Sequence, residues 1–302
     1  MPRAEPLRVT VTNDDGIDST GLRLLAAAAL RTGCKVLVAA PDHRASDHRA
    51  SDHQASDHRA SDHQASDHQA SDHRASDHQA PGSSAAMTAV RDEGRIVMER
   101  RKLAGLDTVP AYAVQATPAF IAFTAVREAF GRQPDFLLAG INLGPSTGRA
   151  ILHSGTVGAA MTAASHGVRA AAFSLDADDD AAHVHWETAA AVATQVILAL
   201  PDLPRGEVLN VNIPNVPPHM LRGIRRGQLP AFGAVQIDII EAAEDHLQVT
   251  MSDRDAGPTP GTDSGLLAAG YASVTPLLPV SEAPAPWLPW PAVSGAGVLA
   301  QP

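Results

Sequence analysis

Apolar and polar positions follow a recurring pattern along the chain. LRVTVT (7 to 12) reads as a buried strand, and Asp18 or Ser19 can cap a helix through LRLLAAAALR that stops at Gly33. KVLVAA (35 to 40) gives the next strand, so a strand, a helix and a strand follow one another as a βαβ unit. That unit predicts a parallel sheet with a right-handed crossover. Further on, Pro118 starts a helix through AFIAFTAVREAFG. The strand DFLLAG (135 to 140), a Gly-rich loop, a helix from about Thr156 to His166 and the strand RAAAFS (169 to 174) follow. A helix from Trp186 to Leu200 and the strand EVLNVNIP, ended by Pro214, continue the alternation, which predicts an α/β fold on a doubly wound, mostly parallel sheet. After Pro214, VQIDII, a turn around Glu244 and Asp245, and LQVTM read as a β-hairpin, with YASVTPL as a late strand. These predict a smaller C-terminal β-hairpin extension. Residues 1–278 then form a single α/β domain, and residues 279–302 a Pro-rich tail.

One tract breaks the pattern. Over residues 42–81 the unit DH(R/Q)AS repeats eight times, placing His at 43, 48, 53, 58, 63, 68, 73 and 78. A five-residue period advances about 140° net per unit around a helix, so the histidines spiral and form no stripe. With alanine as its only apolar residue, the tract reads as a low-complexity insertion in the loop after the second strand.

Composition narrows the function. The chain has 302 residues, of which 44% are apolar, enough to bury a sizeable core. Its longest uncharged apolar stretch, Val109 to Val126, contains Pro110, Gln115 and Pro118, so a membrane span is not expected. The N-terminal residues have no signal-peptide core, and a single cysteine, Cys34, fits a reducing compartment, so a cytoplasmic protein is expected. A net charge of −10 argues against nucleic-acid polymers as partners. A small anionic substrate stays possible, because a bound divalent cation inverts the local field.

In an open parallel sheet, ligands bind outside the carboxyl ends of the strands, and three polar clusters fall there. Asn13, Asp14, Asp15 and Gly16 follow the first strand, Asp42 to Ser46 the second, and Gly140, Ile141, Asn142, Leu143 and Gly144 the strand DFLLAG. Each alone is an ordinary turn composition. Together they offer only oxygen donors, which suit a hard cation such as Mg²⁺ or Mn²⁺. A fourth cluster, His153, Ser154, Gly155 and Thr156, precedes an Ala-rich helix and can serve as its N-cap or as an anion site. A cation site beside an anion site is what a phosphate ester needs.

The segments VTNDDGIDSTGLRLLAAAAL, VLVAAPD, AGINLGPSTGRAILHSGTVGAAM, LNVNIP and GTDSGLLAAGYASVTPL together resemble the SurE family of metal-dependent 5'/3'-nucleotidases. The resemblance covers nearly all the chain outside the repeats. It implies a Rossmann-like fold, a homodimer or homotetramer, and hydrolysis of nucleoside 5'- or 3'-monophosphates with one divalent metal. It places the metal on Asp14, Asp15, Ser46 and Asn142, with Asp14 or Asp15 orienting or deprotonating the nucleophile. Asn142, Ser154, Gly155 and Thr156 would hold the phosphate, and His153 stands where relatives often have tyrosine. Ser46 is in register counted forward from Ala40, whereas counting backward from Met87 puts Pro81 there, and any serine from Ser46 to Ser76 can in principle close the site. Relatives usually read GTPADC where this chain has Ala116, Thr117, Pro118, Ala119, Phe120 and Ile121, so an acidic residue is replaced by Phe120. Two alternatives remain: a divergent relative that binds nucleotide or a partner without turnover, and a His-Asp metal buffer on an inert scaffold.

Overall fold

The computed structural model describes residues 5–43, 95–177, 181–230, 235–242, 247–253 and 259–281. It opens with the expected unit: β1 (Arg8–Thr12), α1 (Thr20–Arg31) and β2 (Lys35–Pro41). Ser19 is the N-cap of α1, its Oγ accepting the Leu22 N–H at 3.3 Å, and the helix leaves through Thr32 into Gly33 at φ +83°. One side of α1 buries Leu22, Leu25, Ala26 and Ala29 completely. Each of the two leucines contributes about 1.5–3 kcal/mol relative to exposure.

The remaining elements are β3 (Met98–Arg101), β4 (Ala111–Val114), α2 (Pro118–Val126), β5 (Phe136–Leu143), α3 (Gly155–Ser165), β6 (Arg169–Asp176), α4 (Trp186–Ala199), β7 (Val208–Pro214), β8 (Ile224–Arg226), β9 (Val235–Ala242), β10 (Leu247–Asp253), α5 (Asp263–Ala268) and β11 (Ala272–Leu277). Nine strands form one sheet in the order β3-β4-β2-β1-β5-β6-β7-β11-β8. It is mostly parallel; β3 runs against β4, and β11 against β7. From β1 the chain winds outward through β2 and β4, then returns to the other side of β1 with β5, β6 and β7. The winding therefore reverses between β1 and β5, the position where open α/β sheets hold their ligands.

Helices cover both faces, with α1 and α4 in contact on one and α2 and α3 on the other. The core is accordingly split by the sheet. Val9, Val11, Phe136, Leu138 and Phe173 face α1 and α4, while Leu137, Ala139, Ala170 and Ala172 face α2 and α3. Alanines and glycines on α3 let it lie close to the alanine-rich β6.

Three expectations change. The helix from Pro118 ends at Val126, and Glu128 takes φ +67°, so REAFG is not helical. The Gly-rich segment after DFLLAG continues as strand through Leu143. Gly140, at φ +124°, permits this, because a Cβ there would lie 2.3 Å from the Phe173 carbonyl oxygen on β6. YASVTPL does not belong to a separate extension; as β11 it pairs with β7 and β8 inside the main sheet. The hairpin itself forms, with β9 and β10 antiparallel in a two-stranded sheet of their own. Its turn around Glu244 and Asp245, the repeats beyond His43 and the tail from residue 282 lie outside the described residues. Among the described residues, no helix is long and apolar enough to cross a membrane.

Candidate active site

The clusters after β1, after β2 and at the end of β5 sit on three neighbouring strands, because β1 pairs with β2 on one side and β5 on the other. The loop after β1 is held by Asn13. Its fully buried side chain donates from Nδ2 to the Gly16 carbonyl at 3.0 Å and to Ser19 Oγ at 2.7 Å. This closes the turn, with Gly16 at φ +91°, directly onto the cap of α1 and leaves Asp14 and Asp15 half-buried on the rim. Asn13 is thus a brace for the acidic pair, a role that the turn composition alone did not separate from the pair itself.

Across the switch point, Asn142 lies near the end of β5, paired with Ser174 of β6. Its Nδ2 donates to the Gly144 carbonyl at 3.0 Å, which makes Oδ1 the atom suited to a cation. Asp42, after β2, receives Arg101 Nη2 at 3.0 Å and has His43 Nε2 at 3.5 Å. Ser46 lies outside the described residues.

The fourth cluster meets the first. Thr156, fully buried in the first turn of α3, donates from Oγ1 to Asp14 Oδ1 at 2.7 Å. Ser154 is the N-cap of α3, its Oγ accepting the Val157 N–H at 3.2 Å. The Gly155 and Thr156 N–H groups precede the intrahelical ladder, so they are the backbone donors that this helix start offers an anion. His153, by contrast, is exposed at the end of the 3-10 turn Gly148–His153.

Beneath the loop joining β5 to α3 lies a buried polar network that the sequence reading missed. Ser146 N–H donates to Asn212 Oδ1 at 2.7 Å, and its carbonyl accepts from Asn210 and Asn212 Nδ2 at 2.8 and 3.0 Å. Ser174 Oγ donates to Ser146 Oγ at 3.1 Å, and the Ser146 and Ser154 hydroxyls are 3.0 Å apart. The signal was present in LNVNIP, where asparagines occupy alternate positions of an otherwise buried strand. Such groups are rarely buried without hydrogen bonds, because desolvation without a partner is costly.

Asp263 fastens the other end of the same loop. It is fully buried at the start of α5; Oδ2 accepts the Gly148 N–H at 2.8 Å and Oδ1 the Ser264 N–H at 2.8 Å. Burial pushes its carboxyl above the ordinary 3.8, although the backbone N–H groups of Gly148, Ser264 and Asp263 itself oppose the rise. The folded protein therefore holds this proton more tightly than the unfolded chain, and the stability it contributes is present below 3.8 and lost as pH rises through the folded value. Asp263→Asn cannot titrate, so the melting temperature of the native chain minus that of the variant is expected to be largest near pH 4 and to shrink towards pH 8. A difference that stays constant from pH 4 to pH 8 would contradict the raised carboxyl.

Three comparisons bear on this arrangement. The family model described as survival protein SurE matches residues 9–231. The 5'-nucleotidase SurE of Vibrio vulnificus (strain YJ016) is 30% identical over 285 residues, covering 91% of each chain. The 5'/3'-nucleotidase SurE of Edwardsiella ictaluri is 31% identical over 279 residues, covering 90% of this chain and 89% of that one. The crystal structure of the SurE protein from Aquifex aeolicus superposes with a TM-score of 0.64 at 24% identity, over 90% of this chain and 93% of that one. This last likeness is one of fold.

Proposed function

The chain belongs to the SurE family, and from that membership we propose that it is a metal-dependent phosphohydrolase removing phosphate from nucleoside 5'- or 3'-monophosphates in the cytoplasm. The hydrogen bond from Thr156 to Asp14 supports this reading most directly, because it joins an anion-binding helix start to a carboxylate pair at the switch point. The relatives' printed names supply the substrate class.

The donor set fits a hard cation. Asp14 and Asp15 bring carboxylates and Asn142 an amide oxygen, with no sulfur or imidazole among them, the chemistry preferred by Mg²⁺ or Mn²⁺. When bound, such an ion supplies counter-charge to the phosphoryl oxygens and makes water a better nucleophile. Asp14 and Asp15 would hold it, with Asn142 and a serine after β2, Ser46 in the forward register. One of the two carboxylates orients the attacking water and takes its proton. The Gly155 and Thr156 N–H groups bind the phosphate oxygens whose charge grows during transfer. Ser154 keeps that helix start in place through its cap, and the Ser146 network fixes the approach of the loop.

Phosphate release from 5'-AMP, 3'-AMP and an aryl phosphate, with EDTA, Mg²⁺ or Mn²⁺, tests the proposal. Turnover of the nucleotides that EDTA abolishes and either cation restores is expected. Nucleotide binding without turnover under every condition would replace the hydrolase with a binding protein.

A further inference from the structure

A second set of metal-capable side chains lies on the segment leading into α4. One potential ligand atom from each of His183, His185 and Glu187 falls within 4.8 Å of the others. His185 Nδ1 is 2.9 Å from Glu187 Oε1, and the His183 and His185 rings meet edge to face at 4.5 Å between centroids. The sequence His-Val-His-Trp-Glu spaces the three donors at every second residue, across the change from irregular chain to the first turn of α4.

The backbone beneath them is fixed from β7. Asn215, immediately after that strand, accepts the His185 N–H on Oδ1 at 2.8 Å and donates from Nδ2 to the His183 carbonyl at 2.9 Å. Thr188 Oγ1 donates to the Val216 carbonyl at 2.7 Å, fastening the start of α4 to the same loop. An ion pair at the helix start needs only His185 and Glu187; the Asn215 clamp also holds the backbone of His183. The hydrogen bond from His185 keeps the Glu187 carboxyl below its usual range, so it is anionic at neutral pH.

We propose that His183, His185 and Glu187 form a binding site for a borderline divalent cation of the Zn²⁺ type, separate from the oxygen-donor rim. Two imidazoles and one carboxylate favour Zn²⁺ or Ni²⁺ over Mg²⁺, and three protein ligands leave the solvent side for water. Metal-ligand distances of about 2.0–2.1 Å set tetrahedral donors about 3.3 Å apart, so donor atoms now separated by up to 4.8 Å must draw together by at most about 1.5 Å. His183 and Glu187 are exposed and can make that movement, while the clamped backbone limits the ordering that binding requires.

Trp186, between two of the ligands, provides a local reporter. Substituting Trp287→Phe and Trp290→Phe in the full-length chain leaves it as the sole indole. Titration of that protein with Ni²⁺, a fluorescence quencher, is expected to give saturable quenching in the micromolar range, reversed by Zn²⁺ and unaffected by Mg²⁺. His183→Asn and Glu187→Gln, both at exposed positions, should each weaken it about tenfold or more, with the circular dichroism spectrum unchanged. Equal quenching in both variants would place the ion elsewhere, the repeat histidines included, and overturn the site. Absence of saturable quenching below about 1 mM would also overturn it.

Discussion

Asp14→Asn is expected to reduce metal-dependent phosphate release by about 100-fold or more, because the proposed mechanism assigns that carboxylate to the cation and so makes several kcal/mol of transition-state charge stabilisation depend on it. The substitution is chosen for what it preserves. Asparagine keeps an oxygen that can accept the Thr156 hydroxyl now bound at 2.7 Å, so the contact between the β1 loop and α3 has a substitute. The negative charge is what disappears. The unfolding free energy should therefore change by no more than about 1 kcal/mol, and kcat/KM for 5'-AMP measured across a Mn²⁺ series separates two roles. Recovery at high Mn²⁺ would assign Asp14 mainly to holding the ion, and a loss that persists would assign it also to the water. Turnover close to that of the native chain at ordinary Mn²⁺ would remove Asp14 from the chemistry.

Gly21→Ala is expected to lower stability by about 3 kcal/mol or more, a fall of roughly 6–12 °C in melting temperature for a chain of this size. Intrinsic helix propensity predicts the opposite, since alanine is favoured over glycine inside a helix by about 1 kcal/mol. Packing decides the sign. A Cβ at residue 21 would stand 1.9 Å from the carbonyl oxygen of Ile141 and 2.9 Å from its carbon, both backbone atoms of β5 that cannot rotate away. Relief requires α1 to lift off the strand that carries Asn142, so activity at permissive temperature should fall as well. A neutral or stabilised variant would show that α1 does not approach β5 this closely.

The parts of the fold legible in the sequence were those whose burial follows a simple period. β1, α1, β2, α3, β6, α4 and β7 lie where their apolar residues put them, each within a few positions of its expected ends. β3 escaped because MERR is an edge strand with exposed, mainly charged residues and no apolar alternation. α5 escaped because six residues carry too little pattern, although Thr262 and Asp263 make a clear helix start. The continuation of β5 through Gly140 was hidden because Gly and Asn ordinarily signal a turn; here glycine serves close contact with β6.

The placement of Asp14, Asp15 and Asn142 was legible because they lie at the carboxyl ends of β1 and β5, which neighbour one another in the sheet. The bracing roles of Asn13, Ser146, Asn210, Asn212 and Asp263 were not, since a brace is defined by its partner; the alternating asparagines of LNVNIP mark buried polar positions without naming what they bind. Their partners lie three residues away for Asn13, but 66 residues away across the Ser146–Asn212 pair and 115 across the Gly148–Asp263 pair.

The place of β11 sets a schedule for the nascent chain. β7 can dock on β6 once it has left the ribosome, yet its other edge is completed by residues 272–277, and among the described residues β8 has no neighbour in the sheet except β11. During synthesis of residues 215 to 277, which takes on the order of several seconds, a buried strand of the finished protein stands as an open edge. Open edges recruit other strands. A ribosome that terminates within that interval would therefore release a chain whose candidate site residues are already present but whose sheet is adhesive, a natural substrate for chaperones and proteases.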